Sequence, residues 1–176
     1  MMKQHYFRLT PVVLLACSAL ANAEHYQSGI TTWPVKEGKM VLVAGVLTDN
    51  SRLYYLNYSF FFEEPDKTLV VIPIVKEKAN LNDYSLSFST FNGGDDVIAD
   101  AMLVVNRDNT WLITAHKDAV RGYDRPGRIA TQTYRLFHGE EVQWKYYFSP
   151  VHKGEYAEKE NYTIERALSE TAKTLN

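Results

Sequence analysis

Leu53–Glu64 reads LYYLNYSFFFEE, and its period decides the fold class. Tyr54, Leu56, Tyr58, Phe60 and Phe62 fall on one face, while Asn57, Ser59 and Phe61 fall on the other. A period of two is the mark of a strand, because successive side chains leave an extended backbone on opposite sides. The same alternation recurs downstream. Leu86 and Phe88 are interleaved with Ser85, Ser87 and Ser89, and Trp144, Tyr146 and Phe148 with Gln143, Lys145 and Tyr147. Such segments suit a sheet with one face wet.

Met40–Leu47 and Leu69–Val75 are apolar on both faces, so they read as central or covered strands. Pro73 lies inside the second run and cannot donate to a ladder, so an edge or a bulge is expected there. Short turn sequences separate the runs: Lys36-Glu37-Gly38-Lys39, Glu64-Pro65-Asp66-Lys67, Asn92-Gly93-Gly94-Asp95, Arg107-Asp108-Asn109 and Arg125-Pro126-Gly127. Links of this length leave no room for the crossover helices that parallel strands need. The expected fold is mainly β, an antiparallel meander of about eight or nine strands with one C-terminal helix. Barrel and sandwich are both compatible with this pattern.

The helix is expected at about 162–175. Ile164, Ala167, Leu168, Ala172 and Leu175 recur at helical spacing, with Asn161 or Thr163 as cap, Glu165 in the first turn and Lys173 in the last. Its apolar stripe is expected to lie on an open part of the sheet.

The first residues bound the compartment. Lys3, His5 and Arg8 precede an apolar run, Pro11–Ala21, and Ala21-Asn22-Ala23 has the small-x-small form of a signal-peptidase site. The run has 11 residues, against roughly 20 for a membrane-spanning helix. Residues 1–23 are thus expected to be a cleaved signal peptide, with 24–176 a single domain in a bacterial periplasm and no transmembrane segment. A competing reading lipidates Cys17 within Leu14-Leu15-Ala16-Cys17, but the later Ala-x-Ala site is better placed after the apolar run. Cys17 is the only cysteine, so the mature domain would have no disulfide and no thiol chemistry.

Charge and motifs narrow the function classes. The formal net charge is −2, and loss of Lys3 and Arg8 makes the remainder more acidic. That gives no general attraction to nucleic acid, and no nucleic-acid partner is expected. There is no Gly-x-Ser-x-Gly elbow. His25, His116, His138 and His152 are dispersed rather than paired, so no metal is expected, and no cofactor motif is present. Asp95, Asp96 and Asp100 lack the alternating oxygen ligands of a calcium loop.

Two candidate sites stand out. Arg121-Gly122-Tyr123-Asp124-Arg125-Pro126-Gly127-Arg128 places three arginines and a tyrosine around a Pro-Gly turn in an acidic chain. Arginine forks bind carboxylates and phosphates bidentately, and arginine and tyrosine are enriched at binding hot spots. Arg121, Tyr123, Arg125 and Arg128 are therefore the expected binding residues. The second is His116-Lys117-Asp118 at the end of a strand starting at Trp111, where His116 has the residue types of a base oriented by Asp118.

The expected function is a non-enzymatic periplasmic binding protein of a self-protection type: an immunity, inhibitor or antibiotic-resistance protein that counters a toxin, a lytic enzyme or a cell-wall-directed antibiotic. Its partner would be a protein or an anionic small molecule, with homodimerisation a further option. Two alternatives belong to other classes. One is a lipocalin-like carrier of a small apolar ligand, using the abundant Tyr and Phe. The other is a hydrolase with a dispersed site around His116.

Overall fold

A computed structural model describes residues 26–48, 55–93, 96–106, 108–139, 143–160 and 162–175. The expected signal peptide, Cys17, His25, Tyr54, Asp95 and Asn161 lie outside the described residues.

The chain forms two sheets packed face to face, a sandwich and not a closed barrel. Sheet A holds β1 (Gly29–Val35), β2 (Gly38–Thr48), β3 (Tyr55–Glu63) and β4 (Leu69–Val71) in that order, with β7 (Ser87–Ser89) also on β3. Sheet B runs β6 (Asn80–Ser85), β5 (Ile74–Glu77), β12 (Tyr146–Tyr156), β11 (Ile129–His138), β10 (Thr110–Lys117), β9 (Asp96–Val105) and β8 (Phe91–Gly93).

The twelve strands among the described residues exceed the expected eight or nine for two local reasons. The apolar run at 69–75 divides at Ile72-Pro73, and the chain passes there from sheet A to sheet B. The proline has no N–H to give, but its carbonyl accepts from Phe148 N at 2.9 Å, so it ends one ladder while anchoring the next. Residues 80–93 form three short strands, of which β7 returns to sheet A and β8 to sheet B.

One pair departs from the antiparallel pattern. β5 runs parallel to β12, with Phe148 opposite Ile74. The connection between them contains β6–β11, so the parallel pair needs no crossover helix of its own.

The stripe on β3 is the centre of the core. Tyr58 and Phe60 are 0% and 1% exposed, between Met40 and Leu42 of β2 and Leu112 and Phe148 of sheet B, all at 0%. Phe60 meets Phe148 edge-on, with centroids 5.6 Å apart. The centre of the space between the sheets is thus filled by side chains.

The outer face of sheet B carries the second core. There α1 (Ile164–Lys173) lays Ile164, Ala167 and Leu168 on Met102, Ile113, Ala115 and Ile129. Thr163 caps it, its hydroxyl accepting from Arg166 N at 3.3 Å. Tyr156 Oη shares a 2.8 Å hydrogen bond with Thr171 Oγ1, which ties the helix to β12.

Candidate functional site

The β10–β11 connection, residues 118–128, is the basic loop. Strand register fixes what surrounds it. His116 lies opposite Ala130, and Ala130 opposite Glu155, so these three residues form one rung across β10, β11 and β12. They share the face that looks toward sheet A, and all three are exposed at this end of sheet B. With Lys117, Asp118 and Arg128 they line a groove of about 410 Å³.

His116 leans on Phe88 of β7, with ring centroids 5.6 Å apart. Its outer edge is exposed at the groove, while the partial burial of the ring lowers its pKa below the ordinary histidine value and favours the neutral imidazole. Asp118 does not act as its orienting carboxylate through the bond it makes here: Asp118 Oδ1 accepts from Val120 N at 3.1 Å and shapes the start of the loop. Ser87 and Ser89 flank Phe88 on β7 and point to the outer face of sheet A, where their hydroxyls each accept from Asn57 Nδ2 at 3.1 Å.

The loop is anchored along its length. Lys117 Nζ donates to Tyr123 O at 2.9 Å and lies 3.6 Å from Asp96 Oδ2. Asp118 N donates to Arg128 O at 2.8 Å, which closes the base of the loop. Gly122 adopts φ +117°, a conformation that side-chain-bearing residues rarely take. Tyr123 folds back so that its ring meets Phe91 edge-on at 5.4 Å and covers Gly93.

The four predicted binding residues therefore have different settings. Arg121 pairs with Glu158 and also donates to Pro126 O at 3.4 Å. Arg128 pairs with Glu155 at 3.0 Å. Arg125 is exposed. Tyr123 is 47% exposed and presents only part of its ring, the rest being spent on β8. The structure brings Arg128, His116 and Asp118 to one groove.

Sequence reading missed the partners Glu155 and Glu158, which lie 27 and 37 residues from their arginines. It also missed the polar link between the sheets. Tyr58 Oη donates to Asp100 Oδ1 at 3.2 Å, and Ala101 N donates to the same oxygen at 2.8 Å. Burial, then the neighbouring Asp100 charge, push the Tyr58 phenol far above its usual pKa, so it stays a donor. A single carboxylate inside Ile98-Ala99-Asp100-Ala101-Met102 was the available clue, since a charge in an apolar strand needs a partner.

Beside this link lies a second cleft of about 480 Å³, bordered by Tyr26, Gln27, Ser28, Leu56, Tyr58, Thr90 and Asn92. Tyr26 Oη accepts from Leu103 N at 2.9 Å, which satisfies an N–H on the part of β9 that β8 does not pair. Burial raises the Tyr26 phenol to about 12.

Among the described residues no group of three or more His, Cys, Asp or Glu side chains is placed to hold a metal ion. No helix among them is long and apolar enough to cross a membrane.

No family model and no curated protein sequence matches this chain. A solved structure described as the crystal structure of CarG is similar in fold, with a TM-score of 0.60, 16% identity and 94% of each chain covered. At that identity the likeness speaks for the fold, and it extends over nearly the whole sandwich.

Proposed function

We propose that this is a non-catalytic binding protein of the periplasm, of the self-protection type, which engages an acidic protein or an anionic small molecule through the 118–128 loop and the groove beneath it. The observation that carries the reading is the setting of the arginines. Arg121, Arg125 and Arg128 are all exposed on a loop that the rest of the fold holds in place. The ion pairs of Arg121 and Arg128 are at the surface, with arginine side chains 65% and 64% exposed. Exposed pairs of this kind contribute about 0–1 kcal/mol, so incoming carboxylates can replace Glu158 and Glu155 at small cost.

Two further features support a binder over the alternatives. The centre of the space between the sheets is occupied by Tyr58, Phe60 and Phe148, where a carrier of apolar ligands would keep a cavity. His116 has Phe88 on one side, and the hydroxyls of the two serines that flank Phe88, Ser87 and Ser89, lie on the far face of sheet A, turned away from the imidazole.

The test is affinity capture from a periplasmic extract at two salt concentrations, with the wild-type chain and the Arg121→Ala/Arg125→Ala/Arg128→Ala variant. The expected result is a partner bound by wild type, weakened by salt and lost in the variant. Sedimentation of both proteins shows whether the partner is a second copy. A variant that retains the same partner with the same salt response overturns the reading.

A further inference from the structure

Helix α1 covers only part of the outer face of sheet B, and the part it leaves open is aromatic. Strand alternation puts Trp111 on the same side as Ile113 and Ala115, which lie under the helix, but Trp111 is not among the residues packed there. Register extends the patch across the sheet. Trp111 lies opposite Arg135 of β11, and two residues further along that strand Phe137 lies opposite Tyr147 of β12. Trp111, Phe137 and Tyr147 are each partly exposed, and Phe137 stacks on Tyr147 with centroids 5.7 Å apart.

Arg135 sits at the centre of this patch and is exposed. Its guanidinium lies 5.5 Å from the Trp111 ring and 5.8 Å from the Phe137 ring, and Nη2 donates to Asn109 Oδ1 at 2.8 Å. These contacts hold a long side chain against the sheet, so much of the entropy that binding would cost is already lost. Arg121, Arg128 and Arg166 are each held by a carboxylate, from Glu158, Glu155 and Glu170. Arg135 has no such partner among the described residues; it is held by two rings and a neutral amide. Asn109 takes one of its N–H groups and leaves the others for a ligand. The same patch contains a buried donor, Trp111 Nε1, with no acceptor among the described residues. An unpaired buried donor costs about 1–3 kcal/mol, so the indole gains from any contact that repositions it.

We propose that this patch is a second protein-binding surface, which takes a partner's carboxylate on Arg135 and the apolar side chain beside that carboxylate on the rings of Trp111, Phe137 and Tyr147. Composition and charge both favour that occupant. Trp, Tyr and Arg dominate binding hot spots. A wholly apolar partner would bury the Arg135 charge unpaired, and a small anion would make no use of the rings. A nucleic acid would meet a single cation here, on a chain whose formal net charge is −2. The patch is separate from the 118–128 loop and does not rest on the role proposed for it. It is on the opposite face of sheet B from His116 and at the other end of β10, about 20 Å along the strand from Lys117.

The experiment is an NMR titration of the ¹⁵N-labelled protein with the peptide acetyl-Glu-Phe-amide. Acetyl-Gln-Phe-amide removes the charge, acetyl-Glu-Gly-amide removes the ring, and phenyl phosphate replaces the carboxylate by a phosphate. Saturable shifts are expected at the amides of Trp111, Arg135, Phe137 and Tyr147 and at the Trp111 indole N–H. Each peptide control is expected to bind about tenfold more weakly, the loss of one charge-assisted hydrogen bond or of one ring contact. Arg135→Gln, at an exposed position, is expected to keep the fold and to bind the Glu and Gln peptides equally. Arg135→Lys keeps the charge and loses the planar fork, and is expected to retain only part of the preference for Glu. The triple arginine variant of the loop is expected to bind the peptide as wild type does, so failure of the loop reading leaves this test standing. Absence of saturable shifts at the patch overturns the proposal. So does equal binding of the Gln peptide by wild type, tighter binding of phenyl phosphate, or an unchanged preference for Glu in folded Arg135→Gln.

Discussion

Replacing Tyr58 by phenylalanine removes one oxygen atom from a side chain with no exposed surface. The ring keeps its edge contact with Tyr26, and no cavity larger than a hydroxyl is made. What is lost is the 3.2 Å hydrogen bond to Asp100, a residue only 3% exposed. A buried carboxylate that loses a donor retains its desolvation cost, and hydrogen bonds to charged groups are worth about 1.5–3 kcal/mol. We expect Tyr58→Phe to cost about 2 kcal/mol, which corresponds to roughly 4–8 °C in a domain of this size. The assay is urea unfolding at neutral pH, with an unchanged m-value required for the two-state reading. Asp100→Asn and the double variant complete a cycle, and a coupling of at least about 1 kcal/mol is expected between residues in direct contact. A loss below about 0.5 kcal/mol, or coupling near zero, would refute the view that this pair ties β3 to β9.

Two other perturbations test the site. Because burial lowers the His116 pKa, the unfolded chain takes up a proton first as pH falls below about 6.5, and the fold is destabilised through that window. Urea midpoints at pH 7.5 and 5.5 should differ less in His116→Gln than in wild type, and equal differences would dismiss the argument. Glu63, Asp66 and Glu170 have lowered pKa values from hydrogen bonds to Lys67, Thr68 and Tyr162, so their stabilisation is lost only in more acid solution. Gly93→Ala would drive a methyl group into the Tyr123 ring. It should therefore detach Tyr123 from β8, raise amide exchange across residues 118–128 and leave exchange in β10 unaltered; unchanged loop exchange would show that Tyr123 is not an anchor.

Strand identity was legible because period-two alternation is written into each segment separately. The stripe Leu56, Tyr58, Phe60 and Phe62 is buried as its spacing implies. The helix was legible for the same reason: Ile164, Ala167 and Leu168 form its buried stripe, and Thr163 caps it. Pro73 was expected to mark an edge or a bulge in a central or covered strand; instead the run ends there as β4, the exposed edge strand of sheet A, and resumes as β5 in sheet B, a change of sheet the local pattern did not contain. The parallel pairing of Phe148 with Ile74 was not legible, since it depends on where two distant segments meet and not on either one's pattern. The site divided along the same line. The basic loop was visible as a local run of residues. Glu155 and Glu158, which neutralise two of its arginines, come from the far side of β11, and only strand register brings them there.

The way the loop is held bears on the binding role proposed for it. A connection of this kind would ordinarily be mobile, and ordering it on binding would weaken association. Here the ordering is done by the fold. Asp118 shapes its first turn, Lys117 holds the Tyr123 carbonyl, Arg128 O closes its base, and Tyr123 rests on Phe91 and Gly93. The cationic ends of Arg121, Arg125 and Arg128 remain at the surface. Backbone and aromatic anchors fix the loop, while its charges make only exchangeable surface pairs. A loop built solely to protect a sheet edge would need its charges but not these anchors. Phe91 of β8 supports the loop through Tyr123, while Thr90 and Asn92 on either side of it border the cleft beside Tyr58. A change that displaces β8 would therefore displace the support of the loop, and exchange across residues 118–128 is the measurement that would report it.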